Sequence, residues 1–113
     1  MSETKWERRL ATLKEKGYAD TLDEHELTEF EIVCSYFEDH YPGQFSLFPA
    51  SEEPGLRLEQ RADRKHIIVE LIHSEETKLP VFDIAFFDFN NEVQKHTECE
   101  SIFDAIAFLH QLK

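Results

Sequence analysis

The hydrophobic period of the chain switches from helical to alternating after its second helical stretch, and that switch limits the fold more than any other feature. Up to residue 41 the apolar side chains recur at three- and four-residue steps, and from Leu56 they alternate. Helices that precede the strands, rather than interleave with them, predict an α+β fold with the helices segregated from the sheet.

Residues 20–41 carry the clearest helical pattern. Leu27, Phe30, Cys34, Phe37 and Tyr41, with Val33 beside them, line one face and should pack into a core. Asp20 or Thr21 is placed to cap the helix, because a short side-chain oxygen accepts a hydrogen bond from a free first-turn amide. At about 100° per residue, His25, Glu29, Ile32 and Tyr36 fall on the opposite side. Ile32 and Tyr36 therefore have two readings. The plainer one is a second packing surface; the sharper one is a pair of apolar anchors inside an acidic rim, the layout of a small interface hot spot.

Residues 3–16 form a first helix, with Ser2 as its cap and Trp6, Leu10 and Leu13 on one stripe. Lys5, Arg8, Arg9, Lys14 and Lys16 occupy its other face, and Gly17 ends it in the left-handed conformation that glycine adopts without steric cost. A basic helix followed by an acidic one suggests an antiparallel pair.

Pro42 and Gly43 then open a series of strands. Residues 44–50 read as a short strand ending at Pro49, which argues for an edge because proline cannot donate to a ladder. In the next strand Leu56, Leu58 and Gln60 face one way and Arg57, Glu59 and Arg61 the other. Residues 66–73 and 81–89 follow, the latter with Phe82, Ile84 and Phe86 on one face and Val81, Ala85, Phe87 and Phe89 on the other. Asn90 and Asn91 suit a turn into a last strand at 92–96. Residues 102–112 form a final helix, started by Ser101 and Asp104 in a capping-box pattern and laid on the sheet by Ile102, Phe103, Ile106, Leu109 and Leu112. The expected fold is one α+β domain over 1–113: two N-terminal helices, an antiparallel meander of four to five strands, and a C-terminal helix packed on the sheet.

Charge is distributed unevenly over this plan. Residues 1–16, 17–56 and 57–113 carry +2, −10 and −4, and the middle segment holds ten acidic residues with no Lys or Arg. Such a field repels nucleic acid and anionic lipid and speeds encounter with basic partners. The longest apolar run, residues 105–109, is far short of the ~20 residues a membrane helix needs. The N-terminal residues lack the apolar stretch of a secretory signal, so a cytoplasmic setting is expected. Cys34 and Cys99 are far apart without CxxC spacing, which fits buried reduced thiols better than a disulfide framework.

Signals for chemistry are sparse. His96 and Cys99 form the best local metal-ligand pair, and His25 and Glu29 lie one helical turn apart, but paired zinc-type motifs are absent, so no metal is expected. No serine sits in a G-x-S-x-G elbow, neither cysteine has an activating context, and the three glycines build no phosphate cradle. His66 and His73 bracket one strand and should face opposite sides as rim residues. No catalytic residue and no cofactor is expected.

The leading expectation is a small acidic non-catalytic protein that occupies a basic surface on a partner protein, as an immunity protein, antitoxin, DNA-mimicking inhibitor or secretion chaperone does, without binding nucleic acid itself. Asp23, Glu24, Glu29, Glu31, Glu38 and Asp39 would supply the charge, with Ile32 and Tyr36 as anchors. Negative charge that serves solubility alone is the rival explanation. A second expectation is a ligand-binding or enzymatic domain with a pocket between the helices and the aromatics Phe82, Phe86, Phe87 and Phe89. A third is a homodimer through an exposed sheet face or edge.

Overall fold

A computed structural model describes residues 4–51, 54–62, 65–74, 76–87 and 93–112. Two helices, α1 (Lys5–Glu15) and α2 (Glu24–His40), precede the strands β1 (Phe45–Pro49), β2 (Gly55–Ala62), β3 (Lys65–His73), β4 (Pro80–Phe87) and β5 (Val93–Cys99), and α3 (Ile102–Gln111) closes the chain. The strands pair in chain order as one antiparallel sheet, β1-β2-β3-β4-β5. This is the α+β meander that the change of period predicts.

Register decides which residues the helices cover. Leu47 pairs with Leu58, Leu58 with Val69, and Val69 with Ile84, so one apolar row crosses four strands. These side chains, with Leu56, Gln60, Ile67, Leu71 and Phe82, are buried. The apolar ones join Leu10 and Leu13 of α1, Phe30, Val33, Cys34 and Phe37 of α2, and Ile102, Ala105 and Leu109 of α3 in one core, and Gln60 is fully buried as well. Phe30 and Phe37 are wholly inaccessible, and each contributes roughly 1.5–3 kcal/mol by leaving water. The other sheet face carries Arg57, Glu59, Ile68, Glu70, Asp83, Ala85, Phe87, His96 and Glu98, and none of these belongs to that core.

Both N-terminal helices start later than the sequence suggests. Thr4, not Ser2, caps α1, in a reciprocal capping box with Glu7. Asp23, not Asp20 or Thr21, caps α2, its carboxylate accepting from the Glu26 amide at 2.8 Å. The reason is tertiary: Ala19 and Leu22 are buried, so the chain dips into the core before α2 can begin. Gly17 ends α1 as expected, at φ 86°, with its amide donating to Lys14 and that of Tyr18 to Leu13, the paired bonds of a Schellman motif.

α1 approaches β1 most closely, and the closest helix pair is α2 with α3 rather than the expected α1 with α2. β5 also runs on through Cys99, beyond the expected end at residue 96. Phe89, Asn90, Asn91 and Glu92, expected to end one strand and turn into the next, lie outside the described residues.

Candidate functional site

With one side of α2 in the core, its outer side forms a ridge. Glu24, Thr28, Ile32, Ser35 and Asp39 recur along it and are exposed, which is the helical spacing of one solvent face. The residues expected to meet a partner divide around this ridge. Asp23, Glu24, Ile32 and Asp39 are exposed, whereas Glu29, Glu31, Tyr36 and Glu38 are half-buried along its sides. Asp23 is committed as the cap. Glu29 lies 3.7 Å from the Nε2 atom of His25, the one-turn pair read from spacing.

The two apolar anchors also part. Ile32 is 45% exposed. Tyr36 instead packs against the core, with its ring 4.2 Å from that of His40 and its hydroxyl buried without a hydrogen-bond partner among the described residues. Tyr36 thus takes the second-packing-surface role, and Ile32 stands alone as the outward apolar residue. Burial, assisted by the negative charge of Glu31, pushes the Cys34 thiol far up, so it stays protonated and unreactive. Both cysteines are free and buried.

Electrostatics distinguish the two ends of the helix. Glu24 and Glu26 lie in the first turn, where the macrodipole favours negative charge. Glu26 turns inward, is 8% exposed, and places Oε2 2.7 Å from Nε2 of His73. Glu38 and Asp39 lie in the last turn, where the same dipole opposes them by roughly 0.3–1 kcal/mol each. Among the described residues, no Lys or Arg forms an ion pair with any α2 carboxylate; the helix's ion pairs are those with His25 and His73. The cations of α1 therefore do not neutralise it by direct pairing.

The open sheet face brings together groups that linear spacing separates. Odd and even positions of β5 face opposite ways, so His96 points to the open side while Cys99, opposite Phe82, joins the core. The expected His96–Cys99 pair is thereby divided. His96 instead places Nε2 2.7 Å from Oδ1 of Asp83. Asp83 pairs across the strands with Glu98, and one ligand atom from each of Asp83, His96 and Glu98 lies within 4.8 Å of the others. Such a set could hold a divalent cation with coordination positions left open, although the short His96–Asp83 contact satisfies both groups without one. Only strand register, invisible in linear spacing, reveals this trio.

His66 and His73 face opposite sides, as their spacing requires: His73 reaches Glu26, and His66 lies 3.9 Å from Glu59 on the open face. The aromatics of the second expectation are divided too. Phe82 is buried, Phe86 packs against the core, Phe87 stacks near His66 on the open side at 5.4 Å, and Phe89 lies outside the described residues. They do not form one pocket wall.

Fold and site together define an α+β domain whose three helices cover one face of a five-stranded antiparallel meander and whose middle helix carries an acidic ridge. No protein-family model, no curated protein and no solved structure matches the chain. No helix among the described residues is long and apolar enough to cross a membrane.

Proposed function

We propose that this is a non-catalytic acidic binding protein whose α2 ridge docks on a basic surface of a partner protein. The observation that carries this reading is the position of Glu38 and Asp39. Both are in the last turn of α2, at the unfavourable end of its dipole, without a Lys or Arg ion-pair partner among the described residues. Solubility can be met by carboxylates anywhere on a surface, so it does not select this placement. A cationic partner reverses the sign of the local interaction. Ile32, exposed between the acids, offers that partner an apolar contact. The free, buried thiols support a reducing, cytoplasmic setting.

The test begins with affinity capture from the source cell and continues with kinetics on the purified partner. Association should slow as ionic strength rises. Glu31→Lys, Glu38→Lys and Asp39→Lys together should slow it about tenfold or more at low salt, while Glu76→Lys, outside the ridge, should change it little. Equal association rates for the two variants would overturn the docking assignment.

A further inference from the structure

We infer that the cleft between α1 and the outer edge of β1 binds a small aromatic carboxylate. This cleft has a volume of about 350 Å³ and is lined by Lys5, Trp6 and Arg9 of α1, by Glu38 of α2, and by Phe45 and Leu47 of β1. Its size and its aromatic lining with a few charged groups fit a small-molecule site.

The donors follow from register. The Gln44 carbonyl accepts from the Arg61 amide, and the Ala50 amide donates to the Gly55 carbonyl. In an antiparallel ladder the bonded positions alternate, so Ser46 and Phe48 also bond toward β2, and Phe45, Leu47 and Pro49 turn their main-chain groups away. Pro49 has no N–H. The Leu47 carbonyl accepts from Arg9 Nε at 3.0 Å, which shows that this edge faces α1. The Phe45 and Leu47 amides therefore remain as outward donors without a partner among the described residues.

Charge sets the ligand's sign. Arg9 uses Nε for Leu47, and neither Arg9 nor Lys5 forms an ion pair among the described residues, although Glu38 also lines the cleft. Two cations and two amide donors beside the rings of Trp6 and Phe45 suit an aromatic body bearing a carboxylate, which a guanidinium binds through paired N–H bonds. One wall of the cleft comes from the one basic segment of an otherwise acidic chain. The cleft shares only Glu38 with the residues proposed to meet a partner, so its test reads Trp6 and β1 rather than α2.

Trp6 is the only tryptophan, so its fluorescence reports occupancy. Hydrocinnamate should shift Trp6 emission saturably and move the amide resonances of Phe45 and Leu47, whereas hydrocinnamyl alcohol should bind about fivefold more weakly or worse. Lys5→Glu, at an exposed position, should weaken hydrocinnamate by about tenfold without unfolding the protein. Arg9→Lys, which keeps the charge but loses the planar fork, should weaken it less. No saturable response, equal binding of the alcohol, preference for phenylpropylamine, or resonance shifts confined to other residues would each overturn the assignment.

Discussion

His66 shows how one side chain on the open sheet face couples charge to stability. Burial holds its pKa below the ordinary histidine value, and the nearby Arg61 and Arg57 act in the same direction against Glu59. A depressed folded-state pKa means that folding disfavours the proton. The contribution is therefore fully present above the unfolded value of about 6.5 and is lost as pH falls through the folded value. Unfolding midpoints measured from about pH 7.5 down to about pH 5 should fall, and His66→Gln should flatten the part of that fall due to this group. A midpoint as pH-dependent in His66→Gln as in the parent would remove His66 as the cause. Residues of this kind were only half legible in the sequence. Alternation assigned Gln60 to the same side as Leu56 and Leu58, and Gln60 is indeed fully buried. That neither amide atom has a partner among the described residues depends on the whole packing around it, which no local pattern encodes.

At the scale of elements, periodicity was legible where one side of an element is buried and the other is not. The apolar stripe of α2 and the alternation of β2 meet that condition, and both lie where the pattern puts them. Helix starts were less legible, because several short polar residues compete to cap and burial of their neighbours decides between them. Asp23→Ala should lower unfolding free energy by about 1 kcal/mol, while Asp20→Ala should change it little; denaturant melts of the two variants will measure the difference. The reverse order would return the cap to Asp20. The α1–α2 pairing expected from opposite charges was not realised as the closest helix contact. Exposed ion pairs contribute only about 0–1 kcal/mol, and apolar burial against β1 and the core outweighs them. The Asp83–His96–Glu98 trio was illegible for a different reason: it assembles across two strands whose register had to be known first.

For the whole molecule, the decisive property is that half of the net negative charge, six of the twelve, lies on α2 without ion pairs to Lys or Arg among the described residues. A surface of that kind repels itself in the folded state, and salt should relieve the repulsion. Internally paired charge would respond in the opposite sense. The direct measurement is the thermal midpoint in sodium chloride from about 0.01 M to about 0.15 M, over which the Debye length shrinks from about 30 Å to about 8 Å. It should be made on the parent and on Glu31→Lys, Glu38→Lys, Asp39→Lys together. The expected result is a midpoint that rises with salt in the parent, and a variant that is more stable than the parent at low salt and less sensitive to salt. A parent midpoint that falls with salt, or a variant destabilised at low salt, would show that the ridge is neutralised from within and has no charge to offer a partner.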